Sequence, residues 1–263
     1  MSRPLVVGMI PARYASTRLP GKVLADLAGK PMIQRVYERC AEATLLDEVI
    51  VATDDERICA AVESFDGRVE MTDAGHCSGT DRLAEVASRH DCDIIVNVQG
   101  DEPMIDPRAI DAAVQPFIAD EDLQMGTIAT PIETLEEHLD PSTVKVVVDT
   151  DGWALYFSRA PIPYFRIDTA TPEPEMPRRH PLSGLLPMKH IGLYVYRREM
   201  LLWYAAQEAS ALEQTEGLEQ LRVLEAGRRI RVVVVDYSPI GVDTPEDLEK
   251  VRELLMPVAG EDS

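Results

Sequence analysis

The densest chemistry in this 263-residue sequence lies in Pro11-Ala12-Arg13-Tyr14-Ala15-Ser16-Thr17-Arg18-Leu19-Pro20-Gly21-Lys22. Three cations, two hydroxyls and several small residues share one loop. Small residues let backbone N–H groups approach oxygens while Arg and Lys supply charge, the mixture that a phosphate-binding loop needs. The loop is neither a Walker A motif nor a dinucleotide G-x-G-x-x-G, and its bland reading is a solvated basic loop. Asp101 follows Val98-Gln99-Gly100. Magnesium takes one or two carboxylates and completes its shell with water and phosphate oxygens, so Asp101 is a candidate ligand, beside the commoner role of Asp as turn former or cap. Asp243 has the same two readings, but Thr244 is the better helix cap, which leaves the Asp243 carboxylate for another use. Asp91-Cys92-Asp93 and Asp149-Thr150-Asp151 match D-x-D, but the first precedes a strand and the second suits a hairpin turn. His76, His90 and His138 lack metal-ligand spacing.

These residues need a scaffold, and the hydrophobic periodicity supplies one. Leu5–Ile10 is a continuous apolar run ending at Pro11, which reads as a strand buried on both faces. Pro31 opens a helix over MIQRVYERCAEA. Then come a strand over Glu48–Thr53, a helix from Asp54 or Asp55 to about Ser64, a strand over Arg68–Met71, a helix from about Thr80 to His90 and a strand over Asp93–Val98. That alternation implies an α/β fold with a parallel sheet covered on both faces. Ligands of such sheets bind outside the carboxyl ends of the strands, where the loops Pro11–Lys22, Thr53–Asp55, Thr72–Thr80 and Gln99–Pro103 fall. Thr80 is a candidate cap for the helix that follows it.

After a helix from Asp106 to about Asp120 and a strand over Gln124–Ile132, the pattern turns β-rich. Val144–Val148 and Trp153–Ser158 flank a hairpin turn at Asp149-Thr150-Asp151-Gly152. Seven prolines crowd residues 161–187, a loop composition typical of a lid, an interface arm or disorder. Lys189–Tyr196 reads as a strand, Arg198–Gln207 and Ala211–Glu225 as helices, and Ile230–Asp236 as a last strand. A final helix has Thr244 as cap and Pro245 at its first position.

Composition limits the partners. The net charge is −20, and 45% of residues are apolar, so the chain folds as a globular protein and lacks the broad basic face that nucleic acid requires. Residues 1–30 nevertheless carry a net +4 from Arg3, Arg13, Arg18, Lys22 and Lys30 against Asp26. A local basic site on an acidic body suggests a small anion. Cys40, Cys59, Cys77 and Cys92 contain no C-x-x-C pair, which fits free thiols. No apolar run approaches the ~20 residues that span a bilayer, so no membrane partner is expected and the cytoplasm is the default location.

The loop Ile10–Lys22, followed by Leu27-Ala28-Gly29-Lys30-Pro31-Met32, resembles the signature of the sugar nucleotidyltransferases, and IPARYASTRLPGK is similar to that of the 3-deoxy-manno-octulosonate (KDO) cytidylyltransferases, or CMP-KDO synthetases. The resemblance continues through Val51-Ala52-Thr53-Asp54, Ser78-Gly79-Thr80-Asp81-Arg82, Asn97-Val98-Gln99-Gly100-Asp101-Glu102-Pro103, Tyr156-Phe157-Ser158-Arg159, His190-Ile191-Gly192-Leu193-Tyr194, Leu218-Glu219-Gln220-Leu221-Arg222 and Gly241-Val242-Asp243-Thr244-Pro245-Glu246-Asp247. These blocks cover nearly the whole chain.

The resemblance implies a three-layer Rossmann-like nucleotidyltransferase domain with a mostly parallel central sheet and a smaller β-rich insertion. Residues 1–130 with 229–257 would bind nucleotide, and residues 131–228 would bind sugar and form a homodimer surface. It implies activation of KDO by CTP, giving CMP-KDO and pyrophosphate for lipopolysaccharide biosynthesis. Arg18, Lys22, Asp101 and Asp243 would be catalytic, with Mg²⁺ on Asp101 and Asp243. Ala12, Arg13, Ser78, Gly79, Thr80, Arg82 and Gln99 would hold CTP. Gln99, Arg159, His190, Tyr194, Glu213, Glu216 and Gln220 would hold the acidic sugar. Arg suits bidentate recognition of a carboxylate, His190 and Tyr194 share a strand face, and the spacing of Glu213, Glu216 and Gln220 puts them on one side of a helix. The alternatives are a cytidylyltransferase for a related acid, such as an amino-KDO or a nonulosonate, and a non-catalytic nucleotide-binding regulator.

Overall fold

The structure is a computed structural model that describes residues 3–15, 19–164 and 187–256. Strand β1 (Val6–Ala12) lies between β4 (Glu48–Thr53) and β6 (Ile94–Asn97), parallel to both, and β5 (Val69–Met71) extends the parallel run beyond β4. Its side chains alternate between two cores: Val6 and Ile10 face one, Val7 and Met9 the other. Burial on both faces explains why these strands read as continuous apolar runs. The expected stop at Pro11 does not occur. The strand continues to Ala12, with Pro11 opposite Ala52; pairing with β6 has already ended at Met9, so the missing N–H of Pro11 falls where β1 is an edge.

Helices cover both faces. Helix α1 (Met32–Ala41) starts just after Pro31, a short hairpin of β2 (Asp26–Leu27) and β3 (Lys30–Pro31) having turned the chain into it. Helices α2 (Glu56–Glu63) and α4 (Pro107–Ala119) are capped by the side chains of Asp55 and Asp106. Ile33, Val36, Ile58 and Ile110 of these three helices share one core. Helix α3 (Gly79–Arg89) packs on the other face through Leu83 and Val86. Its cap is Ser78 and not Thr80: the Ser78 hydroxyl accepts from the Asp81 N–H at 3.0 Å while the Asp81 carboxylate accepts from the Ser78 N–H at 3.2 Å. This reciprocal pairing satisfies two donors that Thr80, two positions further in, would leave open.

The remaining strands are β7 (Met125–Pro131), the hairpin β8 (Lys145–Val148) and β9 (Ala154–Ser158), β10 (Met188–Arg197) and β11 (Arg231–Val234). Among the described residues the main path of the sheet runs β11-β7-β10-β6-β1-β4-β5, with the β8–β9 hairpin attached to β10. Strand β10 is antiparallel to both neighbours, β6 and β7. It therefore begins at the edge where the parallel strands end. The parts expected to bind nucleotide and sugar thus share one sheet, in which β10 lies between β7 and β6.

Beyond β7 lies the short α5 (Leu135–Leu139), and α6 (Arg198–Ala205) follows β10. The single helix expected over Ala211–Glu225 is two, α7 (Ala211–Glu216) and α8 (Leu221–Glu225). Gly217 separates them in the left-handed conformation at φ 63°, a C-cap geometry that glycine adopts without a Cβ penalty. The Pro-rich segment lies largely outside the described residues.

A third, smaller core anchors the C-terminal helix α9 (Pro245–Leu255). Leu248 and Val251 pack with Val242, Leu27 and Met32, and Thr244 caps the helix as the sequence implies. The Val242 N–H donates to the Asp101 carbonyl at 2.9 Å, which fixes the neighbouring Asp243 beside the β6 loop. Val242 is fully buried, so Val242→Ala should lower the unfolding free energy by about 2 kcal/mol through lost burial plus a residual cavity. Urea unfolding measures this, and a loss below about 0.5 kcal/mol would mean that the segment is not anchored there.

Candidate active site

The loops leaving β1, β4 and β6 open on one edge of the sheet, the edge at which α/β folds bind ligands. A cavity of about 770 Å³ lies there, lined among others by Gly79, Thr80, Gln99, Arg159, His190, Tyr194, Gln220 and Asp243. The reversed direction of β10 brings His190 and Tyr194 to this edge. Between Ile191, opposite Ile128, and Tyr194, opposite Thr127, the strand carries two extra residues. An insertion of two preserves the alternation of faces, and the His190 and Tyr194 rings remain together with centroids 5.3 Å apart. Tyr194 stacks on Tyr196, and Tyr196 on Tyr204, at 6.0 and 6.2 Å, so that one wall of the cavity is aromatic.

Polar atoms along the cavity are set by hydrogen bonding. The Thr127 hydroxyl lies 2.8 Å from the Leu193 carbonyl and 3.0 Å from His190 Nε2. Its single proton goes to the carbonyl, so Nε2 carries the ring hydrogen and Nδ1 is left as an acceptor. Burial lowers the His190 pKa to about 3, which keeps the imidazole neutral. Gln99 Nε2 donates to Gly192 O at 3.1 Å and to Asn97 Oδ1 at 3.3 Å, leaving its carbonyl oxygen with acceptor capacity. Gln220 is buried, and its Nε2 has no hydrogen-bond partner among the described residues. A buried donor left in that state costs about 1–3 kcal/mol, which a ligand acceptor in the cavity would recover.

Arg159 also lines the cavity, with Nε donating to Glu216 O at 2.8 Å and Nη1 to Pro141 O at 3.1 Å. The two glutamates expected beside Gln220 are placed otherwise. Glu213 is buried in an ion pair with Arg222, 2.5 Å from Nη2, and Glu216 accepts from the Ser158 hydroxyl at 2.6 Å and the Arg159 N–H at 2.9 Å. Neither lines the cavity, because the break at Gly217 removes the helical spacing that grouped them with Gln220. Glu219 lines it instead and accepts from the Thr80 hydroxyl at 3.0 Å. Burial raises its pKa. The sequence contains Glu219 within the Leu218–Arg222 block, but a helix running through Gly217 directs attention to the wrong side.

The acidic pair is joined by a cation of the chain itself. Lys22 Nζ lies 2.6 Å from Asp101 Oδ2 and 3.0 Å from Asp243 Oδ1, and it also donates to Val242 O at 3.0 Å. Burial lowers the Lys22 pKa, but the two carboxylates outweigh it and the net shift is upward. Lys22 thus meets the carboxylates expected to hold Mg²⁺. Two hard carboxylate oxygens converge on this one ammonium, a donor pair of the kind that fits Mg²⁺ when phosphate and water complete its shell. Next to Asp101, burial and the Asp101 charge push the Glu102 carboxyl up to about 8, so Glu102 is protonated at neutral pH and adds no third negative charge.

The nucleotide residues named from the sequence divide between two places. Gly79, Thr80 and Gln99 line the large cavity, whereas Arg13 and Arg82 line a neighbouring one of about 290 Å³ with Tyr14 and Asp54. Arg82 is 1% exposed. Its guanidinium pairs with Asp54 at 3.2 Å and with the Thr72 hydroxyl, while Nε has no hydrogen-bond partner among the described residues. Arg13 Nη1 donates to Cys77 O at 3.3 Å. Ala12 is buried at the end of β1, and the Ser78 side chain is committed to its cap. Arg18 lies outside the described residues. The basic N-terminal segment is not one patch: Arg3 pairs with Asp47 and Lys30 with Glu38, away from these cavities.

A mostly parallel sheet whose carboxyl edge combines this cation position with two polar cavities defines a nucleotide-handling α/β enzyme, and a family model described as Cytidylyltransferase matches residues 7–230. The chain belongs to that family. It falls among the 3-deoxy-manno-octulosonate cytidylyltransferases: it is 59% identical to the one from Geotalea uraniireducens (strain Rf4) over 95% of this chain and 98% of that protein, and 58% identical to the one from Geobacter metallireducens over 95% and 97%. A solved structure of CMP:2-keto-3-deoxy-manno-octonic acid synthetase complexed with CTP superposes with a TM-score of 0.86 at 47% identity, covering 95% of this chain and 98% of that one. The 4-diphosphocytidyl-2C-methyl-D-erythritol synthase of Anaerococcus prevotii shares the fold at a TM-score of 0.61 and 14% identity, covering 96% and 98%.

The neutral His190 sets a pH dependence. Its folded pKa is below that of the unfolded chain, so its contribution costs nothing above pH 6.5, and stability falls as pH drops from there towards about 3. At pH 5 the loss is about 2 kcal/mol relative to pH 7.5. The difference between wild type and His190→Gln across that range reads it. An NMR titration giving the His190 ring a pKa above 5 would contradict the assignment.

Proposed function

We propose that the protein transfers the cytidylyl group of CTP to 3-deoxy-manno-octulosonate, giving CMP-KDO and pyrophosphate for lipopolysaccharide synthesis. The observation that carries this reading is the meeting, at one sheet edge, of a carboxylate pair around a cation position and a cavity bearing Arg159, neutral His190 and the Gln220 Nε2 that has no partner among the described residues. Arg159, with Nε and Nη1 bonded to backbone carbonyls, offers Nη2 donors and its charge to the sugar carboxylate. His190 Nδ1 and the Gln99 carbonyl can accept from sugar hydroxyls, and Gln220 Nε2 can donate to a sugar oxygen. The N-terminus of α3, where Gly79 lets the chain pass close to Pro11, presents backbone N–H groups to an anion. Its Ser78 cap holds that end in place.

The transfer needs no nucleophilic side chain. The anomeric oxygen forms a bond to the α-phosphorus, the bond from that phosphorus to pyrophosphate breaks, and the hydroxyl proton passes to solvent. Positioning and charge neutralisation carry such reactions. Mg²⁺ bound by Asp101 and Asp243 would neutralise phosphate charge and lower the pKa of a coordinated hydroxyl. Lys22 occupies that cation position in the free protein, and displaced from it becomes an ammonium for the phosphates. Arg13 and Arg18 are the further cations of the loop. A homodimer is supported by exposed apolar side chains, Leu155 on β9 and Tyr164 six residues beyond it, and four unpaired cysteines suit a reducing cytoplasm. Among the described residues no helix is long and apolar enough to cross a membrane.

Pyrophosphate release with KDO and each of the four nucleoside triphosphates tests the reading: CTP should be strongly preferred, and no release with CTP and KDO, or equal release with another acidic sugar, would overturn the substrate. Asp101→Asn should cut turnover by at least ~100-fold with the fold intact; near-normal Mg²⁺-dependent turnover would remove Asp101 from the metal. Lys22→Met separates the cation position from activity. With no nucleotide present, Mg²⁺ should raise the melting temperature of this variant more than that of wild type, and equal shifts would argue against a shared position.

A further inference from the structure

Lys145 is a cation without an assigned task. It lies on β8 and is 0% exposed, yet among the described residues no carboxylate comes within ion-pair distance of it. Its three ammonium donors instead go to three backbone carbonyls: Thr143 O at 2.6 Å, Arg159 O at 2.6 Å and Asp140 O at 2.8 Å. An ammonium has three N–H groups, so the set is complete. Such a centre is expensive to bury, because a charge loses its hydration; burial lowers the Lys145 pKa, and the more distant Asp140 and Glu216 carboxylates offset only part of that. Packing alone would be served by an apolar residue.

The three carbonyls belong to segments that build one part of the cavity. Ser142, Thr143 and Arg159 all line it. Arg159 is held from several directions: its carbonyl by Lys145, its N–H by the Glu216 carboxylate at 2.9 Å, Nε by Glu216 O at 2.8 Å and Nη1 by Pro141 O at 3.1 Å. Pro141 itself sits between the two loop carbonyls that Lys145 grips. The frame leaves Nη2 as the guanidinium nitrogen with no hydrogen-bond partner among the described residues.

We infer that Lys145 is a positioning residue for the acidic sugar: it locks the Asp140–Thr143 loop to the Arg159 backbone so that the Arg159 guanidinium meets the sugar carboxylate in one orientation. The ammonium also adds a positive charge behind the guanidinium, where low polarizability lets it act over a longer range than a surface lysine. The inference rests on the reading that Arg159 binds the sugar carboxylate, and explains why its donor edge is held before the sugar arrives. Preorganisation of this kind lowers the cost of binding without a contact to the ligand.

The test compares Lys145→Met, Arg159→Ala and the double variant, with KM for KDO and for CTP measured separately and folding checked by thermal melting. Lys145→Met should raise the KM for KDO by tenfold or more and change that for CTP by less than twofold. In the Arg159→Ala background the same replacement should add less than twofold, because a residue acting through Arg159 has nothing left to position. Equal rises in both KM values, or effects that multiply in the double variant, would overturn the inference in favour of a general structural role. Should Lys145→Met fail to fold, Lys145→Gln, which keeps an amide donor, carries the same comparison. A normal KM for KDO in the Lys145 variant beside a raised one in Arg159→Ala sinks this inference alone. An unchanged KM in Arg159→Ala sinks the carboxylate assignment and the inference together.

Discussion

The site depends on one ammonium. Lys22 comes from the loop after β1, Asp101 from the loop after β6 and Asp243 from the segment before α9, yet their charged atoms meet within 3.0 Å. Two carboxylates brought this close would repel each other without a cation between them. The geometry is enforced from outside the charges, by the Val242 backbone bond to Asp101 and by the small core that fastens α9 to the β2 and α1 region. Because the carboxylates are placed by backbone and core, the position between them can change occupant without the site collapsing.

Placement of charge matters more here than its sum. The chain as a whole is strongly acidic, and the basic residues of its first thirty positions are dispersed by folding, with Arg3 and Lys30 committed to surface acids. What favours an anionic ligand is instead a set of cations contributed by separate segments: Lys22, Arg13, Arg159 and the buried Lys145. Glu102 acts in the same sense by remaining protonated beside Asp101. Low dielectric near the cavities increases the reach of each of these charges relative to those on the solvated surface.

Much of the scaffold is legible from residue order. Glu48–Thr53 is a strand with the bounds its apolar run implies, and the Thr244-Pro245 pair starts α9 as capping chemistry requires. The parity of His190 and Tyr194 survives a two-residue irregularity that periodicity does not reveal. The failure at Ala211–Glu225 has a definite cause. A glycine inside a helical pattern is tolerated often enough that Gly217 reads as a weak interruption, while its left-handed backbone ends α7 and turns Glu219 and Gln220 to the cavity. Glu213 and Glu216 are then consumed by Arg222, Ser158 and Arg159, partners that come from other parts of the chain.

The sequence by itself determined the layers, the edge at which ligands bind and the family, because alternation, capping and a phosphate-loop composition are properties of neighbours along the chain. Tertiary structure alone decided which polar groups are taken and which remain: that Lys22 stands between Asp101 and Asp243, that Arg82 is committed to Asp54, that His190 is neutral, and that Lys145 grips three carbonyls around Arg159. The physical reason is that hydrogen-bond satisfaction and desolvation depend on contacts between distant segments, which no local pattern encodes.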